Sequence, residues 1–404
     1  MNIGKNIGQI IATELQRVIT DHSIFLTVIA APILYAFFLG SIYLNKDISK
    51  IPFGVVDNDQ THMSRELTRL LSASPKIKTT EKLLDAGNGL RELKKMNIQG
   101  FIVFPNGLEK DLLKGKDTQV SLFLNTTRFL PSNELNMAVN KIILQEGNKL
   151  RLKHFEGKGI SIPLALKMIK PIKTNVKAIY NTTNSYGDFL LPALFFIILQ
   201  QTLLLGMAES ISKDREKGLL TRTLTASPKG VINYLVGKPA YYLLLYSAYL
   251  LFFTRFIFPA FQLPVKSSIY PIFVISFLFL MCVSMYAMLA GTFIKKQTQA
   301  LVIIAFSTYP LFLLSGYSWP ISSMPVFLRG FAALIPTTPM LEAMRRLYLM
   351  GGGWQNVLPQ FEHLLLLFGL SLILLTARLY QIKRKSQHYN TEIQTINRST
   401  LPYD

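Results

Sequence analysis

Long apolar runs alternate with charged connections along this chain, and the run lengths predict where it crosses a membrane. The first uncharged run, Ile24 to Leu44, is long enough for the ~30 Å hydrocarbon core of a bilayer. It passes into Asn45-Lys46-Asp47 without a small-residue cleavage site, so it reads as an anchor rather than a signal peptide. Five further spans are predicted at Phe189–Met207, Tyr234–Phe258, Tyr270–Phe293, Ala300–Tyr317 and His363–Tyr380. Ahead of the first span, Ile7, Ile10, Ile11, Leu15 and Val18 recur at helical spacing, with Lys5, Glu14 and Arg17 on other faces. That pattern predicts an amphipathic helix, lying on the membrane surface or packed on the protein's own loops.

Residues 45–188 read differently. Pro52-Phe-Gly-Val-Val-Asp57, Lys76 to Thr80, Gly100-Phe-Ile-Val-Phe104 and Val120 to Leu124 have strand character. Between them lie helical faces, Met63-Leu67-Leu70-Leu71 and Leu108-Leu112-Leu113, with a broken helical pattern over Leu84 to Met96. A long helix is expected from Pro131 to about His154, followed by a Lys-rich return over Ile160 to Tyr180. Strands alternating with helices predict an α/β layer structure with a largely parallel sheet. The resulting fold class is an α-helical polytopic membrane protein of six transmembrane helices with an inserted extracytoplasmic α/β domain. Its parts are 1–44 (interfacial helix and first span), 45–188 (the inserted domain), 189–380 (the five-helix region) and a tail, 381–404. Within the five-helix region, 208–233 is a charged connection. Residues 318–362, with Pro320, Pro325, Pro336, Pro339 and Gly351-Gly352-Gly353, read as two short helices, either dipping into the outer leaflet or lying on the surface.

Composition supports a membrane protein: of 404 residues, 50% are hydrophobic and only 16% charged, against roughly 25% in soluble domains. The net charge of +20 is scattered rather than gathered on one motif, so nucleic acid is not an expected partner and membrane topology accounts for it better. Six spans put both termini on one side. The short loops of that side hold Lys5, Arg17, Lys213, Arg215, Lys217, Arg222, Lys229, Lys238, Lys295, Lys296, Arg378, Lys383, Arg384, Lys385 and Arg398. The opposite short loops hold only Arg255, Lys266, Arg329, Arg345 and Arg346, so both termini are expected to be cytoplasmic and the inserted domain to face outward.

The chain offers no catalytic constellation. Its single cysteine, Cys282, lies in an apolar run, its five histidines are dispersed, and there is no phosphate-cradling G-x-x-x-x-G-K-[ST] loop. With Lys238 assigned to a loop, the span interiors are read as lacking Asp, Glu, Lys and His, which argues against a proton-coupled pump and for energy entering from outside the membrane region. Gln200, Gln201 and Thr202 form the most polar cluster in a span, suited to interhelical hydrogen bonding or to lining a pathway or dimer seam. In the 208–233 connection, Asp214, Arg215, Glu216, Lys217 and Gly218 precede a small apolar face of Leu219, Leu220 and Leu224, and Pro228 ends the segment. Charged ends with a short apolar face suit a docking helix that inserts into a partner's groove.

Several stretches resemble one family in order and spacing. They are Pro52-Phe-Gly-Val-Val-Asp-Asn-Asp59 with Ser64-Arg-Glu-Leu67, Gly100-Phe-Ile-Val-Phe-Pro105, Tyr180-Asn181, Pro192, and Ile197-Ile-Leu-Gln-Gln-Thr202. Further on come Glu216-Lys-Gly218 with Thr225-Ala-Ser-Pro228, then Gly316-Tyr-Ser-Trp-Pro320, Met324-Pro325 and Ile335-Pro-Thr-Thr338. Over nearly its whole length the chain resembles the ABC-2 type permeases, in the subgroup with a large extracytoplasmic domain after the first span. It departs at Thr182, where the family often has proline, and at Leu219, where it often has threonine. The resemblance implies a transport subunit rather than an enzyme: a bacterial inner-membrane exporter permease for drug-like, lipid or polymer substrates. It implies that the chain binds no cofactor and that ATP is used by a separate dimeric ATP-binding subunit. It also implies an ATPase-coupling loop containing Asp214 to Gly218, Leu220 and Pro228, and a second permease chain, with membrane lipid around the pair. In Gram-negative relatives it further implies a periplasmic adaptor and outer-membrane channel. A membrane receptor or assembly scaffold with a ligand-binding outer domain is the competing class.

Overall fold

The computed structural model describes residues 7–44, 48–169, 179–182 and 185–399. Lys5, the Lys-rich return over 170–178, the side chain of Arg398 and the last residues of the tail lie outside the described residues. The chain divides into two compact units, one of residues 1–46 and 178–404, the other of residues 47–177.

The first unit is a helical bundle. Among the described residues six helices are long and apolar enough to cross a membrane: His22–Ile42, Tyr186–Glu216, Gly230–Ala260, Ile269–Phe293, Gln297–Leu314 and Trp354–His388. They are called the first to sixth spans below. Ahead of them lies α1, Ile7–Thr20. The second and fourth spans form the centre, and their close approach depends on Gly291, where a Cβ would come within 2.8 Å of the Ile211 side chain. Small residues at such crossings let helix backbones meet in a medium that supplies no hydrophobic driving force between helices. The core around them is built from Phe195, Phe196, Phe279, Met288 and Tyr348, with Tyr242 and Tyr246 from the third span.

The segment between the fifth and sixth spans splits into two unlike helices. Val326–Ala333 exposes Val326, Phe327 and Phe331. Thr337–Met344, extended by a wide turn to Leu349, is buried in the bundle through Met340, Leu341, Met344 and Leu347.

The second unit is a four-stranded sheet in the order β2-β1-β3-β4, made of β1 Ile51–Asp57, β2 Ile77–Leu83, β3 Gly100–Phe104 and β4 Ser121–Leu124. β1 runs parallel to β2 and β3, and β4 is an antiparallel edge. The two-residue period of a strand gives each face its own core. Phe53, Val55, Ile102 and Phe104 face Leu67, Leu71, Leu135 and Val139, while Val56 and Phe101 join Leu83 and Ile98 on the other side. Asp59, just past β1, accepts from Thr61 Oγ1 at 2.5 Å and from the backbone N–H groups of Gly107 (2.8 Å) and Glu109 (3.1 Å). Burial works against its charge, but these bonds prevail and hold the carboxyl below its ordinary range. The carboxylate thereby holds the turn that opens the helix Leu108–Leu113. The long helix runs from Phe129 to Gly157, and a short helix absent from the sequence pattern, Ile162–Ile169, packs on it.

Candidate functional site: the charged end of the second span

The second span does not stop at Met207, where its apolar run ends; it continues as helix through Glu216. Its last four residues bind five different places in the bundle. Lys213 pairs with Asp21, at the start of the first span. Asp214 pairs with Arg17 of α1 at 2.5 Å and with Lys238 of the third span at 2.7 Å. Arg215 donates to the Thr292 carbonyl at 2.8 Å, at the end of the fourth span. Glu216 accepts from the backbone N–H of Gln297 at 3.0 Å, at the start of the fifth. The last two contacts match the helix dipole: a cation sits at a helix C-terminus and an anion at a helix N-terminus.

Asp214 belongs to a closed polar cluster. Lys238 is fully buried, and its ammonium donates to Glu14 (2.7 Å), Ser210 (2.9 Å) and Asp214 (2.7 Å), which accounts for all three of its donors. Arg17 donates to Glu14 at 2.9 Å and to the Ser210 hydroxyl at 2.7 Å as well as to Asp214. Tyr234 donates to Asp214 at 3.2 Å and Tyr242 to Glu14 at 3.3 Å. Two cations and two anions therefore neutralise one another. Burial disfavours the charge on Arg17, yet Glu14 and Asp214 outweigh it and raise the guanidinium pKa further above its ordinary value. At Asp21 burial likewise works toward the neutral form, but bonds from Lys213, Gln297 and the Ile24 backbone hold the carboxyl below its usual range.

Three expectations are corrected here. Lys238 is not a loop residue: it sits inside the helix of the third span, so the span interiors are not free of Asp, Glu, Lys and His. Glu14 and Arg17 do not lie on faces of α1 apart from the apolar one; Glu14 is buried with Ile10 and Val18, and Arg17 is turned into the same cluster. The charged helix faces could be buried because each contains the counter-ion of the other. Leu220 and Leu224 do not form an apolar face offered to a partner, since both are buried in the bundle core.

What remains exposed between the second and third spans is polar. Glu216 and Lys217 end the helix, Gly218 follows in the left-handed conformation at φ +69°, and the short helix Leu219–Thr225 leads to the turn before Gly230. Lys217, Arg222, Pro228 and Lys229 face outward. Lys383, at the end of the sixth span, donates to the carbonyls of Ser227 and Pro228, both at 3.2 Å, and ties down the far side of the turn.

The Gln200-Gln201-Thr202 cluster is brought together with other helices of the same chain. Thr337 donates to the Gln200 carbonyl oxygen, Gln201 donates to the Ile304 carbonyl at 2.6 Å, and Thr202 donates back to Ile198 at 2.7 Å. These contacts fasten the buried helix Thr337–Met344 and the fifth span to the second. Among the described residues, no group of three or more His, Cys, Asp or Glu is arranged to hold a metal ion.

Comparison with known proteins agrees with this architecture. The family profile described as ABC-2 family transporter protein matches residues 22–380. The linearmycin resistance permease protein LnrN of Bacillus subtilis is 23% identical over 387 residues, covering 88% of this chain and 94% of that one. The inner membrane transport permease YhhJ of Escherichia coli is 22% identical, covering 90% and 94%. The probable multidrug ABC transporter permease YbhS of Escherichia coli is 22% identical, covering 84% and 87%. With six long apolar helices, a large unit inserted after the first and a family match along most of its length, the chain belongs to the ABC-2 family of transporter proteins, as a permease rather than a catalytic enzyme.

Proposed function

We propose that this chain is the transmembrane subunit of an ATP-driven exporter in a bacterial inner membrane, and that a separate ATP-binding subunit docks on the turn from Glu216 to Lys229. The observation that carries this reading is the continuity of the second span. One unbroken helix runs from the exposed turn to the bundle centre, and residues 213–216 bind it to α1 and to the first, third, fourth and fifth spans. A push on the turn therefore reaches five other helices through hydrogen bonds and ion pairs, without needing a flexible linker.

The docking face is basic, with Lys217, Arg222 and Lys229 exposed beside the single carboxylate of Glu216. An acidic cleft on the partner is its complement, and complementary charge sets orientation and encounter rate more than affinity. Two permease chains, identical or related, enclose the pathway, and the substrate is drug-like, lipid or polymer. The names of two relatives, a linearmycin resistance permease and a probable multidrug permease, favour a drug-like molecule.

Co-purification with the ATP-binding protein encoded beside it, followed by ATPase assay in liposomes, tests this. The triple variant Lys217→Glu/Arg222→Glu/Lys229→Glu should insert normally and lose at least tenfold of the partner's permease-dependent ATPase activity. Undiminished activity in that variant would refute docking at the turn. Failure of the intact chain to form any complex would favour the receptor or scaffold class instead.

A further inference from the structure

The inserted unit contains a groove of about 550 Å³ that plays no part in the proposed coupling. Its volume lies in the range of small-molecule sites, about 300–1,000 Å³. Its floor is apolar, formed by Leu67, Leu108, Leu112, Ile143 and Phe155, with the exposed Met168 at its edge. Its rim is charged, with Lys116, Asp117, Arg151 and His154. Apolar floor and charged rim together describe a site for a molecule that is itself divided into an apolar body and a polar head.

Charge indicates the sign of that head. Arg151 reaches Asp117 at 3.7 Å, and Glu146 is held by Lys149 at 2.5 Å, so the rim's carboxylates are already partnered. Lys116 has no ion-pair partner among the described residues. The unit as a whole carries 22 Lys and Arg against 13 Asp and Glu over residues 47–177, which makes an anion the favoured visitor.

A second observation concerns Gly147, inside the helix Phe129–Gly157 and on the wall of the groove. Glycine inside a helix is destabilising relative to alanine. No packing reason requires it here, because an added Cβ would meet nothing within 4 Å. Position 147 thus has room for a larger side chain beside the groove.

We infer that this groove binds a single-chain amphiphile with an anionic head, the chain lying over the leucines and the head at Lys116. This inference is independent of how the transporter is energised. The test uses the full chain in nanodiscs of phosphatidylcholine, with a diazirine-bearing fatty acid as probe and mass-spectrometric mapping of the labelled peptides. Labelling is expected on segments 108–118 and 143–157, and is expected to fall when excess laurate or dodecyl phosphate is added. The stronger of the two competitors identifies a carboxylate or a phosphate head. Gly147→Phe, which fills the groove, should lower labelling of those segments at least tenfold, while Gly147→Ala retains it. Lys116→Glu should lower it several-fold, and an uncharged diazirine alcohol of equal length should label several-fold less. Labelling of the spans provides an internal control for probe loading, and thermal unfolding of each variant a control for the fold of the inserted unit. Labelling confined to the spans, no competition by either anion, equal labelling by the alcohol, or full labelling of Gly147→Phe would each overturn the inference.

Discussion

Lys238 shows how much depends on single side chains in this bundle. Burying an ammonium group is unfavourable unless its charge and all its donors are met, and here Glu14, Ser210 and Asp214 meet them. Removing it leaves two buried carboxylates facing Arg17 alone. Lys238→Met is therefore expected to destabilise the protein by about 3–5 kcal/mol, the usual cost of breaking a buried ion pair from one side. The double variant Lys238→Met/Glu14→Gln should recover part of that loss, because the unpaired charge is removed with its partner. Thermal unfolding of the detergent-solubilised chain measures both. A single variant within about 0.5 kcal/mol of the parent, the range of ordinary surface changes, would show that the cluster does not form. None of this was legible in the sequence. Hydropathy treats a lysine near the start of an apolar run as the end of a loop, and the partner that makes burial possible lies 224 positions away, in α1.

Elements were more legible than the contacts between them. The six spans and the four strands follow from local patterns, because run length, two-residue alternation and turn residues are properties of neighbouring positions. The errors fall where helix and hydrophobicity part company. The second span continues nine residues beyond its apolar run, from Met207 to Glu216, because its charged turns are neutralised by other helices rather than by water. In the turn after it, Gly218 occupies a left-handed conformation, which an L side chain adopts only at a cost of roughly 1–2 kcal/mol. A Cβ there would meet nothing within 4 Å, so the constraint is one of backbone and not of space. Gly218→Val is accordingly expected to lower stability by about 1–2 kcal/mol and to weaken coupling to the ATPase, with Gly218→Asn intermediate, since asparagine visits this region more readily. Equal coupling in the valine and parent proteins would detach this turn's conformation from its proposed role.

At the scale of the whole molecule, the orientation expected for the proposed function rests on charge. Basic side chains gather at the end of the bundle that holds the 216–229 turn and the start of the tail, including Lys217, Arg222, Lys229 and Lys383. Translocation across a membrane leaves such loops on the cytoplasmic side, whereas a long inserted unit crosses whatever its charge. The proposed function requires the turn to face the side where ATP is available, and a single set of cysteine variants can examine that together with the side the inserted unit faces. The native Cys282 is fully buried in the fourth span, so it contributes no background to labelling by a membrane-impermeant maleimide. Lys158→Cys, exposed on the inserted unit, should label in intact spheroplasts; Lys217→Cys, exposed on the turn, should label only after lysis. The opposite pattern would place the turn beyond reach of any cytoplasmic ATPase and remove the proposed coupling at once. Labelling of both before lysis, with a leakage marker retained inside, would mean that the second span does not separate the two compartments, although it runs as one helix from the turn into the bundle core.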